Sequence, residues 1–230
     1  MNAADAYAAL RKINRPLVAS GEAAVAWGQT NAATTKMLGR LAGAGLIERI
    51  RPGLWAVGEL PDPLDAGYFL TRPYPCYGST WTALFRHGLI EQIPSSIQLV
   101  SLDRAQNIAT SVGRFSVQHV HPDLYGGFER SGWHDLATPE KALFDTVYLL
   151  SARYGRDVSV PEINLPAGFS EARVLEWVQR IPSQRLHTLT SMVLEQIVAR
   201  AEREAGPPQA VVSRDRMAVD DAGIGERGLL

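Results

Sequence analysis

TNAATTKMLGRLAGAGLIERIRPGLWAV, residues 30 to 57, changes its hydrophobic period halfway along, and that change decides the reading of the N-terminal part of the chain. Thr30 or Asn31 offers a short polar side chain that accepts a hydrogen bond from one of the first free amides of a helix. Met37, Leu38 and Leu41 then recur at helical spacing and turn one face inward. Ala33, Lys36, Arg40 and Gly43 fall largely on the other side, two cations among residues too small to hold a surface away. Gly39 and Gly43 each cost a helix interior about 1 kcal/mol relative to Ala. Close approach of either DNA or a neighbouring helix accounts for them. After Gly45 the pattern becomes strand-like: Leu46 to Ile50 and Leu54 to Val57 flank Arg51, Pro52 and Gly53. Pro fixes φ and Gly supplies the positive φ of a type II turn. Two-residue hairpins do not favour that turn, so a longer or irregular loop is expected.

Upstream, Asp5 to Asn14 and Glu22 to Trp27 are Ala-rich helical segments, with Ser20 placed to cap the second. Helix, helix, helix, hairpin is the order of a winged helix-turn-helix. Residues 1–58 carry seven Lys and Arg against three acids, a balance of +4, whereas the whole chain is at −1. A basic module is therefore concealed in a near-neutral protein. Duplex binding draws on local counterion release and needs no basic chain overall. Lys36 and Arg51 suit phosphate, Thr34 and Thr35 suit phosphate or base, Arg40 extends the helix face, and Arg49 and Arg51 arm the hairpin. The ordinary alternative is a solvated cationic helix face.

The chain has 230 residues and is 46% hydrophobic, enough for one large or two modest cores. A single cysteine, Cys76, excludes an internal disulfide and suits a reducing cytoplasm, and no long uncharged apolar run points to a membrane. GELPDPLD, from Gly58 to Asp65, breaks regular structure. The expected division is a winged helix over 1–58, a linker over 59–65, a mixed α+β domain over 66–205 and a loosely held tail over 206–230. Within the second domain, Ser79 to His87 reads as a helix ended by Gly88. Ile97 to Leu102, Phe115 to Val120 and Trp133 to Ala137 read as strands. Thr138, Pro139 and Glu140 open a further helix, and Ser170 to Arg180 and Ser183 to Arg203 follow as helices. The fold class is α+β, with a small sheet and C-terminal helices.

YGSTWTALFRHGL at Tyr77 to Leu89, then Ile93-Pro94, the strand at Ile97 to Leu102, and ATPEKALFDTVY at Ala137 to Tyr148 together resemble the second domain of AbiEi-type antitoxins, regulators of abortive-infection phage-defence operons. The resemblance spans roughly Tyr7 to Leu150. It implies a type IV toxin-antitoxin regulator whose winged helix binds operator inverted repeats in its own promoter, as monomer or dimer. It also implies a second domain that counteracts a nucleotidyltransferase-like toxin. On this reading the protein is a cytoplasmic repressor without catalysis, cofactor or metal.

Other chemistry weighs less. His119 and His121 alternate on a presumed strand and could join His134 or Glu140 around a metal, but no recognised ligand spacing accompanies them, and surface histidines are the simpler account. Glu140, Lys141 and Asp145 invite a metal-dependent nuclease. Lys141 and Asp145, four apart, more simply form a surface ion pair, and Glu140 suits the helix dipole. Gly126 and Gly127 lack the lysine motif of a phosphate loop. Tyr68, Phe69, Tyr74 and Tyr77 are expected to pack a seam or core, with a partner surface as the sharper alternative. The rival to a regulator is an interaction module that sequesters a toxin without touching DNA.

Overall fold

The computed structural model describes residues 1–59 and 62–205 and is a mixed α+β structure with two sheets and, among the described residues, eight α-helices. The expected tail, 206–230, lies outside the described residues. None of the described helices is long and apolar enough to cross a membrane.

The N-terminal part runs α1 (Ala3–Lys12), β1 (Leu17–Ala19), α2 (Ser20–Trp27), α3 (Asn31–Gly43), β2 (Ile47–Arg51) and β3 (Leu54–Val57). The three helices enclose Ala6, Leu10, Ala23, Met37, Leu38 and Leu41, which pack on Val18, Ile47, Trp55 and Val57 of the sheet. Ser20 is the first residue of α2 rather than its cap. The capping acceptor is Glu22, whose Oε2 accepts from the Ala19 amide at 2.8 Å, and the Ser20 hydroxyl instead accepts from Trp55 Nε1 at 2.9 Å. The three-residue strand β1 was not legible as a strand, yet it completes a sheet of order β1-β3-β2.

That small sheet is buried on both sides. All four residues of β3 are buried because alternate side chains face opposite ways: Trp55 and Val57 enter the helical core, whereas Leu54 and Ala56 join Leu17 and Ile50 against Leu64, Leu70, Leu99, Phe115 and Val117. The proline-rich stretch read as a short linker leads, through a 3-10 turn at Pro63–Ala66, directly into this shared core. The Ser111 amide also donates to the Ile50 carbonyl at 3.0 Å.

The second part follows with α4 (Gly67–Leu70), β4 (Cys76–Gly78), α5 (Thr80–Arg86), β5 (Ile97–Ser101), β6 (Gln106–Thr110), β7 (Gly113–His119), β8 (Phe128–Ser131), β9 (His134–Ala137), α6 (Pro139–Tyr154), α7 (Glu171–Gln179) and α8 (Gln184–Ala205). Its six strands are ordered β6-β7-β5-β4-β9-β8, with β5/β7 and β4/β9 parallel and the other pairs antiparallel. Along β5 the pleat sends Leu99 to the seam and Val100 to the other face. There α6 lies among α5, α7 and α8, and Ala142, Leu143, Phe144 and Val147 are fully buried. Thr138 caps α6 by accepting from the Lys141 amide at 3.3 Å, as its sequence predicts.

Candidate nucleic-acid interface

On α3 the Thr30 hydroxyl accepts from the Ala33 amide at 3.4 Å. Met37, Leu38 and Leu41 point into the core. Thr35, Lys36, Gly39, Arg40 and Gly43 are exposed along the outer face. A Cβ built on Gly39 or Gly43 meets nothing within 4 Å, so among the described residues no neighbouring helix accounts for either glycine. Among the described residues, no acidic side chain pairs with Lys36 or Arg40. Thr34 departs from expectation: it is 1% exposed and faces the core, and it leaves the outer set. It stands three and four residues before Met37 and Leu38, a spacing that places it on their face. The Thr35 hydroxyl donates to the Asn31 carbonyl at 2.8 Å, so its methyl group and remaining lone pair are what it offers outward.

The hairpin turns through Pro52 and Gly53, with Gly53 at φ 83° as a type II turn requires. Its irregularity is a bulge: Arg49 pairs with Trp55 and Arg51 with Leu54, so Ile50 is the extra residue. Without it, residues two apart would share a face. With it, Arg49 stands on the helical side, its guanidinium 5.8 Å from the Trp55 ring centre. Arg51 lies opposite Leu54, on the seam side. The two arginines of the hairpin therefore stand on opposite faces of the small sheet.

The segments that carry the family resemblance come together inside the second part. Tyr77 and Ser79 donate to Asp145 Oδ2 at 3.0 and 2.7 Å, and His87 Nε2 contacts the Ala137 carbonyl at 2.7 Å. Lys141 and Asp145 form an ion pair, but with neither side chain exposed, so the surface pair expected from their spacing is instead a buried one. The Lys141 ammonium lies 4.5 Å from the Trp177 ring centre, 4.9 Å from Phe144 and 5.6 Å from Tyr77. Burial lowers its pKa, with Asp145 opposing. Burial likewise pushes the Tyr77 phenol well up, and the Asp145 charge adds to this. Glu140 is also buried and accepts from the Ser170 amide at 3.2 Å, holding the start of α7. Each of these carboxyl groups is engaged inside the fold, which leaves no open face for a hydrated magnesium ion at this cluster.

The remaining polar candidates scatter. His119 ends β7 and contacts the Asp103 carbonyl at 3.1 Å. His121 lies beyond the strand beside Asp123. No group of three or more His, Cys, Asp or Glu is arranged to hold a metal ion among the described residues. Gly127 packs against Lys141 and Trp177 rather than shaping a phosphate loop. The aromatic quartet divides: Tyr77 is core, Phe69 packs on the seam, and Tyr68 and Tyr74 are about half exposed.

One polar cluster had no local signal in the sequence. Glu22 Oε1 accepts from Arg15 and from Arg72, each at 3.0 Å, and the Arg72 guanidinium also lies 4.6 and 4.5 Å from the Tyr68 and Phe69 ring centres. Fifty positions separate Glu22 from Arg72, so only the fold could bring them together. No family model matches the chain, and no curated protein is significantly similar to it.

Proposed function

We propose that residues 1–58 form a winged helix-turn-helix that binds duplex DNA, and that the protein is a transcriptional repressor of the AbiEi antitoxin type acting on its own operator. The observation that carries the reading is the outer face of α3: two cations without an acidic partner among the described residues, Lys36 and Arg40, beside Gly39 and Gly43, whose missing side chains leave the backbone open. Small residues let a helix sit deep in a groove while flanking cations reach phosphates. Thr35 and Arg40 are the base-edge candidates, Lys36 and Arg49 position the helix on the backbone, and Arg51 adds to the local positive field.

The helix order, the three-stranded sheet and the +4 balance of residues 1–58 support this reading. The resemblance of Tyr77 to Leu89 and Ala137 to Tyr148 to the antitoxin family extends it to a second role, counteracting a nucleotidyltransferase-like toxin. Tyr77, Ser79, Lys141 and Asp145 are buried, so their part in that role is to build the domain rather than to touch a partner.

A titration of the full chain against its own upstream DNA tests the reading. Lys36→Ala with Arg40→Ala is expected to weaken binding and flatten its dependence on salt, each lost phosphate contact removing about one unit of slope. Unchanged affinity and slope overturn the assignment. A second reading, a protein-docking module, has one observation in its favour: Val25 on α2 is 84% exposed. It predicts a stable complex with a toxin that Val25→Asp abolishes while operator DNA goes unprotected.

A further inference from the structure

A cavity of about 290 Å³ opens at the seam between the N-terminal part and the six-stranded sheet. Tyr68, Phe69 and Trp133 stand among its lining residues, and two arginines, Arg15 and Arg130, stand at it from opposite parts of the chain. Arg130 pairs with Asp135 through Nε at 2.9 Å, and its two terminal amino groups have no acidic partner among the described residues. Arg15 spends one amino group on Glu22 at 3.0 Å. The volume is at the lower end of what small-molecule sites offer and fits a group about the size of one or two fused rings. Flat aromatic walls select a flat ligand, and two incompletely engaged guanidinium forks select a carboxylate, which they match bidentately.

The cavity is also wired to α2. Arg15 lines it directly, and Tyr68 carries the Arg72 guanidinium on its ring. Both arginines converge on Glu22 Oε1, while Glu22 Oε2 holds the Ala19 amide at the start of α2. An anion at Arg15 competes with Glu22 for that guanidinium.

We propose that this seam cavity binds a small planar aromatic carboxylate, and that its occupancy draws Arg15 from Glu22, loosens the anchor of α2 and lowers affinity for DNA. The first half stands on the cavity alone; the second rests on the DNA-binding reading. A ligand shifts such an equilibrium only through unequal affinity for its two states, and the Arg15 contact, made at the expense of Glu22, supplies that inequality.

The probes are benzoate and indole-3-carboxylate, with the uncharged benzamide as control, titrated calorimetrically into the full chain without DNA. At least one carboxylate is expected to bind saturably with Kd below about 1 mM, and benzamide is expected not to. Arg130→Gln, at a side chain 65% exposed and therefore harmless to the fold, is expected to weaken binding about ten- to hundredfold. Tyr68→Ala, also at an exposed position, is expected to weaken it independently. Absence of saturable binding by both carboxylates, equal binding of benzamide, or affinity indifferent to Arg130→Gln each overturns the site. Saturating carboxylate is then expected to lower operator affinity at least about fivefold. Binding without that effect overturns the coupling and leaves the site standing, whereas failure of the untreated protein to bind DNA overturns only the reading on which the coupling rests.

Discussion

Lys141 and Asp145 face each other across one turn of α6 with neither side chain reaching solvent, and Tyr77 and Ser79 close the carboxylate from the strand side. Removing one partner of such a pair strands a charge in the core. Lys141→Met or Asp145→Asn alone is expected to cost about 3–5 kcal/mol in urea unfolding. Lys141→Met with Asp145→Leu, which removes both charges, is expected to recover much of that loss. A single-substitution cost under about 1 kcal/mol, the worth of a solvated pair, contradicts this account.

That pair marks where sequence reasoning ran short. A Lys and an Asp four apart read as a surface bridge because most helices have a wet face, and α6 has almost none over Glu140 to Val147, being enclosed by other helices and the sheet. Its start was legible to the residue, because Thr138-Pro139-Glu140 states its capping chemistry locally. The inward stripe of α3 and the helices α7 and α8 were legible for the same reason, their period being written over nine or more residues. Strands β1, β4, β6 and β8, three to five residues each, carry too little period to stand out. Thr34 could have been placed correctly from its spacing to Met37 and Leu38. The Arg15–Glu22–Arg72 cluster could not have been, because its members meet only after folding.

Gly39 and Gly43 separate stability from function. Their exposed positions in α3 leave space for a methyl group, so Gly39→Ala is expected to raise unfolding stability by up to about 1 kcal/mol through helix propensity. If DNA approaches this face as proposed, the same methyl lowers operator affinity. Thermal unfolding and a mobility-shift titration of one variant measure both signs. A variant that is more stable and binds DNA unchanged removes the close-approach explanation for the glycine.

Glu22 should make the protein acid-sensitive. Burial opposes its ionisation, but the Ala19 amide and the Arg72 and Arg15 guanidiniums outweigh that and hold its pKa below the usual 4.5. Asp62 is likewise held below 3.8, against burial, by the Leu64 amide and Arg86. For a carboxyl depressed in the folded state, the stabilisation is complete above its unfolded pKa and is lost as pH falls through the folded one. Wild type is therefore expected to be more stable than Glu22→Gln above about pH 4.5, with the difference shrinking below it. Melting temperatures from about pH 3 to about pH 7 check this, and a constant difference across that range speaks against a stabilising role for the ionised Glu22.

Cys76 is placed to be inert. Burial pushes its thiol up to about 11, and the thiolate is the reactive form. In the folded protein a disulfide reagent near neutral pH is expected to modify it about a hundredfold more slowly than an ordinary thiol, and denaturant should restore the ordinary rate. Equal rates with and without denaturant contradict the burial assigned to it.

The seam decides whether the protein responds as one body or two. Leu54 and Ile50 of the hairpin and Leu99, Phe115 and Val117 of the larger sheet share one apolar cluster. Loss of a large side chain there should therefore be felt on both sides. Phe115→Ala is expected to cost about 3–5 kcal/mol and to raise amide exchange in β1 and β3 as well as in β5 and β7. Two domains joined by a flexible tether predict something else, with Phe115→Ala accelerating exchange in the larger sheet and leaving Leu17–Ala19 and Leu54–Val57 protected as before. The hydrogen-exchange map of this variant separates the two, because Leu54 and Ala56 of β3 are buried in a cluster shared with residues beyond the proline-rich stretch. If those amides open together with β5, α3 and the cavity at the seam belong to one cooperative unit. Energy spent at the cavity can then reach α3 through packed side chains.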